Sequence, residues 1–149
     1  MMKNLKKRLK DQRGLTLVEL LAVVVILGII AAIAVPAIGG LIDNTKKDAI
    51  IANAQQMVNS AKTAIASERD VEGADNKITM KELIDGGYLE ISEDPDTKKP
   101  YTTANQNSSY VIVEKDSSGK ITGYKVMIKG KRGLDRELSA NSITRKNIK

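Results

Sequence analysis

From Leu20 to Ile42 the chain reads LLAVVVILGIIAAIAVPAIGGLI, 23 residues without a charge. As one helix this run reaches ~35 Å, enough to cross a hydrocarbon layer of ~30 Å. Buried helices of soluble domains are usually shorter and broken by polar positions, so the run predicts a membrane span. The chain has neither Cys nor His. That excludes a disulfide framework, a thiolate nucleophile, a His general base and any Cys- or His-ligated metal.

Charge is concentrated at the two ends. Residues 1–14 carry Lys3, Lys6, Lys7, Arg8, Lys10 and Arg13 against Asp11, net +5. Residues 129–149 carry another net +5, which leaves −4 on residues 15–128. The basic cluster before the apolar run places the N-terminus in the cytoplasm. The basic tail could hold DNA or an anionic wall polymer through phosphates. Solvated charge is the plainer reading, and nucleic acid is not otherwise indicated.

Glu19 stands between Val18 and Leu20, with Leu15 and Leu17 before it. A carboxylate within apolar membrane sequence costs about 2–3 kcal/mol on insertion scales, so it needs a partner. One reading lets it snorkel to the headgroups beside Arg13. The other reserves it for a positive charge brought by a second molecule. Gly28, Pro36 and Gly39-Gly40 interrupt helix propensity inside the run. Pro36 lacks an amide donor and crowds the carbonyl four residues back, which predicts a bend near Ala32–Pro36. The stretch from Gly28 to Pro36 is where such a helix unwinds most easily.

Residues 13–20, RGLTLVEL, resemble the cleavage and methylation motif of type IV prepilins and pseudopilins. The resemblance extends over roughly residues 8–67. It implies a leader ending at Gly14, cleavage by a prepilin peptidase and N-methylation of Leu15, where the family more often has Phe. Glu19 then falls at the fifth mature position, the family's near-invariant Glu. Gly28 and Pro36 also fall where the family commonly has a Gly and a Pro.

By the same resemblance the chain is a structural subunit rather than an enzyme, and needs no cofactor. It is stored in the cytoplasmic membrane and assembled into a homo-oligomeric filament by an inner-membrane platform and its ATPase. A type IV pilus subunit and a competence or type II secretion pseudopilin are both compatible with it. Two other fates stay open. Ala32-Ile33-Ala34 has the small-x-small form of a secretory cleavage site, which would free a protein starting at Val35. An uncut chain would be a single-pass membrane protein with a binding domain.

Beyond the span, Ile50, Ala54, Met57, Val58, Ala61 and Ile65 form an amphipathic stripe at three- and four-residue steps. One helix from about Thr16 to Ser67 follows. Glu68–Lys77 reads as a polar loop. Thr79 with Glu82 makes a capping box, Ile78 and Leu83 its hydrophobic staple, and Gly86-Gly87 the stop. Asp94-Pro95 and Lys99-Pro100 bracket an irregular loop.

Tyr110–Glu114 and Ile121–Lys129 read as strands joined by a hairpin turn, with Tyr124, Val126 and Ile128 on the buried face. A third strand is sought in 88–91, 99–103 or 134–138. The tail 139–149 reads as polar and mobile.

The predicted fold is α+β. A long N-terminal helix, half membrane-spanning and half amphipathic, packs on a small antiparallel sheet in a pilin-like arrangement. Its parts are a leader (1–14), a filament-core half-helix (15–42), an amphipathic half-helix (43–67) and a C-terminal domain (68–149). Two carboxylate groups merit a metal test. Glu114, Asp116, Ser118 and Gly119 partly mimic a calcium loop, but Lys125 stands where a bidentate Glu is required. Asp94 and Asp96 could ligate calcium in a loop, as in some pseudopilins, though plain loop carboxylates are the simpler reading. No carboxylates are paired as acid and base, so no catalytic site is assigned.

Overall fold

The structure is a computed structural model describing residues 2–67, 73 and 75–149, with side chains from Thr16 onward. Its longest element, α1, spans Met2–Ser67. The helix thus begins well before the predicted Thr16. Leu, Lys and Arg fill the leader and are strong helix formers, and one glycine, Gly14, does not outweigh them. The chain divides into two compact units, Met1–Ile42 and Asp43–Lys149.

The first unit is helical throughout its described residues. Pro36 and Gly28 both lie inside α1. A proline in mid-helix removes one backbone hydrogen bond, and the bonds on either side can carry the helix past it.

In the second unit, one face of α1 forms a wall of the core. Ile50, Ala54, Met57 and Ala61 are fully buried, and Ala64 takes the place expected of Ile65, which is only partly covered. The sheet supplies the other wall, in the order β1 (Lys77–Thr79), β4 (Tyr110–Lys115), β5 (Ile121–Met127), β6 (Leu138–Ser139), all antiparallel. Val111, Val113, Val126 and Ile128 point into the core. Tyr124 is partly buried at its edge, with the Lys62 ammonium 5.2 Å from its ring centre. These are the α+β class and the sheet face the sequence predicts.

Between β1 and β4 lie α2 (Met80–Asp85), the short hairpin β2–β3 (Glu93–Asp94 with Lys99–Pro100) and α3 (Thr103–Ser108). The capping box is present: Thr79 Oγ1 accepts from the Glu82 amide at 3.1 Å, and Glu82 accepts from the Thr79 amide at 2.7 Å. Ile78 and Leu83 are both fully buried in the same core. Gly86 caps α2, and Gly87 takes the left-handed φ of 75° that turns the chain away.

The strand expectations are corrected. The strands flanking the central hairpin are β1, which lies at the end of the predicted loop, and β6, which overlaps the 134–138 candidate by one residue. Segment 99–103 gives Lys99–Pro100 to the β2–β3 hairpin and Thr103 to the start of α3, and 88–91 forms no strand. The predicted loop at 68–77 falls largely outside the described residues, and its last residue opens β1.

The tail is docked rather than free. Ile148 is buried and bridges Leu134, and the Lys149 and Gly133 backbones exchange two hydrogen bonds of 3.0 Å. Ile143 and Ile148, spaced among polar residues, supply the apolar contacts that hold it.

Candidate functional site

The first unit presents its chemistry on its surface. Sixteen large apolar side chains between Leu17 and Ile42 are 51–71% exposed. Soluble domains rarely leave so continuous an apolar surface in water, and such a surface marks a site for lipid or other protein. The helix carrying them is long and apolar enough to cross a membrane.

Glu19 is exposed among these side chains, between Val18 and Leu20 at 64% and 62%. Among the described residues no cation is ion-paired with it. Gly28 has no atom within 4 Å of where a Cβ would stand, so nothing within the chain requires a glycine there. For Lys3, Lys6, Lys7, Arg8, Lys10, Arg13, Gly14 and Leu15 the structure describes helical backbone and no side chain, so their predicted roles lie outside the described side chains.

In the second unit, a cluster around Arg132 joins segments that are distant in sequence. Arg132 Nε and Nη2 donate to the two oxygens of Asp96 at 2.8 and 2.7 Å. Its Nη1 donates to Asp43 Oδ1 at 2.6 Å. Lys47 pairs with the other Asp43 oxygen at 3.2 Å, and Lys46 approaches Asp96 at 3.7 Å. The guanidinium beside Asp96 and Asp43 holds both carboxyls below the usual carboxylate range.

Asp94, buried beside this cluster, accepts from the Asp96 amide at 2.8 Å and from the Lys131 amide at 2.7 Å. Gly130 makes that second approach feasible, because a Cβ there would stand 2.7 Å from Asp94 Oδ2. Tyr101 closes the cluster, with its hydroxyl 3.4 Å from Asn53 Nδ2. Burial pushes its phenol up to about 12.

The calcium readings change in this light. Both Asp94 oxygens face backbone N–H groups and both Asp96 oxygens face Arg132, so N–H donors occupy the positions a cation would need. Asp116 is likewise engaged: its Oδ1 accepts from the Ser118 amide, the Ser118 hydroxyl and the Lys120 amide. Those bonds hold it below the usual carboxylate range. Glu114 pairs with Lys125 at 2.5 Å, the residue whose charge already spoiled the calcium spacing.

Sequence reasoning did not find Arg132, because its partners lie 36 and 89 residues away. The available signal was local: Gly130 and Gly133 flank it, and a Cβ on Gly133 would run into the Ile128 carbonyl. Glycines so placed mark a tight loop that aims the residues between them.

The family model of the prokaryotic N-terminal methylation motif matches residues 9–35. That span holds Gly14, Leu15, Glu19 and Gly28 and ends one residue before Pro36. The N-terminal segment is therefore of prepilin type, the kind carried by the precursors of type IV pilins and pseudopilins. No curated protein and no solved structure matches the chain.

Proposed function

We propose that this chain is the precursor of a filament subunit of the type IV pilin class. It is held in the cytoplasmic membrane by the span 20–42 with its N-terminus in the cytoplasm. A prepilin peptidase cuts between Gly14 and Leu15, and Leu15 is then N-methylated. The match over residues 9–35, on a helix with sixteen uncovered apolar side chains, is the observation that supports this reading.

The physical logic starts with the leader. Its removal takes away five net positive charges that would resist burial. It also creates an ammonium at Leu15 that can lie beside Glu19 of a neighbouring copy. Such a pair need not add net stability, but leaving one partner unpaired costs about 3–5 kcal/mol. Packing in the wrong register is penalised by that amount, so Glu19 acts as an axial register device. An inner-membrane platform and its ATPase supply the work of extraction. Gly28 and Pro36 lower the cost of local unwinding as helices repack, and the assembled filament lies outside the membrane, on the surface or across the wall.

Two variants test the assignment. Glu19→Ala is expected to be cleaved normally and to assemble poorly; normal filaments from it would defeat the register role. Gly14→Val is expected to remain an uncut membrane precursor, and a normal mature subunit from that variant would refute the cleavage site. Electron microscopy of the wild-type strain separates the two members of the class. Abundant surface filaments fit a pilus, and short wall-spanning assemblies fit a competence or secretion pseudopilin.

A further inference from the structure

Asp43 follows the apolar run directly, one peptide step from Ile42. Whatever grips Asp43 is held close to the point where the chain leaves the hydrocarbon, beside a headgroup layer about 5–8 Å deep. Arg132 grips it and draws two further segments there. One is the loop 130–133 that carries Arg132, and the other is the 95–98 turn of the β2–β3 hairpin, held through Asp96. The tail is fastened about one and a half turns further along α1. There Arg145 Nε and Nη2 donate to the two oxygens of Asp48 at 2.6 Å each.

The carboxylates of this cluster are already satisfied. Asp43 and Asp96 share Arg132, with Lys47 and Lys46 beside them, and Asp94 accepts from two backbone amides. The neighbouring ammonium groups are not. Lys98, Lys99 and Lys131 are exposed, and among the described residues none lies within ion-pair distance of a carboxylate. Lys131 acts on Asp96 only from further away. Lys99 and Lys131 line one hollow of about 300 Å³ together with Thr97, Thr102 and Asn105. Lys98 holds the left-handed φ of 53° at the hairpin turn, a place where Gly or Asn is at ease and a lysine is not. The turn therefore keeps a positive charge at a conformational cost.

Free cations held this near a membrane surface attract anionic headgroups, and each one adds to the attraction. We propose that the hairpin turn and the loop 130–133 dock, through Lys98, Lys99 and Lys131, on anionic phospholipid headgroups at the outer face of the membrane that stores the chain. Extraction of the subunit then has to break this contact as well as withdraw the span. The inference rests on the reading of 20–42 as a membrane span, and adds a lipid-binding surface outside the methylation motif.

The chain has no Cys, so one introduced Cys carries a label at a known place. The full chain with Thr97→Cys, bearing a fluorophore, is reconstituted in bilayer discs of phosphatidylcholine alone or with about 30% phosphatidylglycerol. Acrylamide quenching reads the exposure of the label. Quenching should be about threefold weaker in the anionic discs, and about 0.5 M salt should abolish the difference. A label at Ser117→Cys, in the β4–β5 turn, should be quenched equally in both discs. Combining Lys98→Gln, Lys99→Gln and Lys131→Gln should leave the circular dichroism unchanged and restore full quenching at position 97.

Equal quenching of the Thr97→Cys label in neutral and anionic discs would overturn the proposal. So would protection that survives the three lysine substitutions or extends equally to position 117. Protection in neutral discs on adding soluble polyphosphate, without any in anionic discs, would assign the lysines to a free polyanion and overturn it too. If the chain does not co-elute with discs of either kind, the span reading falls and this inference with it. If it does and the labels show no difference, only this inference falls.

Discussion

Arg132 grips Asp96 through both carboxylate oxygens, Nε to Oδ2 at 2.8 Å and Nη2 to Oδ1 at 2.7 Å. The Asp96 side chain is only 7% exposed and the Arg132 side chain 22%. The same guanidinium reaches Asp43, so one residue ties the β2–β3 hairpin to α1. Removing it leaves a nearly buried carboxylate with Lys46 at 3.7 Å and the more distant charge of Lys131, and no side-chain hydrogen bond from either. Arg132→Gln should therefore destabilise the second unit by about 2–4 kcal/mol. Arg132→Lys should recover less than half of that, because an ammonium cannot make the planar two-point contact. Urea titration of the detergent-held full chain, followed by circular dichroism, checks both.

Acid should act on the same cluster and on the Arg145–Asp48 pair. Asp96, Asp43 and Asp48 all have carboxyls lowered by arginine partners. A carboxyl depressed in the folded state contributes stability that is present above its unfolded pKa, near 4, and lost as pH falls through the folded value. The melting temperature of the wild type should fall as pH drops below about 4. Asp96→Asn should start lower and flatten that slope.

At the alkaline end the sign reverses. Burial raises the Tyr101 phenol to about 12, and a hydrogen bond to Glu137 raises Tyr110 to about 12. Stability from a raised group is fully present below its unfolded pKa, near 10, and is lost as pH rises toward the folded value. Tyr101→Phe and Tyr110→Phe should each remove one late-ionising phenol from a near-ultraviolet absorbance titration. Tyr101→Phe should also reduce the loss of stability between about pH 10 and 12.

The glycines fall into two groups with opposite expectations. Gly133→Ala forces a Cβ against the Ile128 backbone and should cost about 1–3 kcal/mol or prevent docking of the tail. Gly28→Ala meets nothing within 4 Å and should strengthen the helix of the single chain by up to about 1 kcal/mol. An assembly defect in Gly28→Ala with a normal single chain would place its cause at a neighbour's surface or in helix unwinding. Comparing melts of detergent-held chains with filament yield separates these effects.

The long elements were legible because their signals repeat. The apolar run, the core stripe from Ile50 to Ala61, the capping box at Thr79 and the 115–120 turn each rest on several residues that agree. What escaped was short or distant. β1 and β6 span three and two residues, below the length at which alternation can be counted. α3, TANQNS, buries nothing and carries no apolar period.

The tail looked like solvated charge because Ile143 and Ile148 are isolated apolar residues among polar ones. Only the fold brings Leu134 opposite Ile148 and Asp48 opposite Arg145. The N-terminal motif shows the converse: residues 13–20 carry it locally, although their chemistry involves other molecules.

The central claim is that this chain matures by losing its first fourteen residues and then works as one copy among many. Mass analysis of the N-terminus of the subunit recovered from assembled filaments tests it most directly. The account predicts a chain beginning at N-methylated Leu15. A subunit that still begins at Met1 or Met2, or one that begins at Val35, would contradict it.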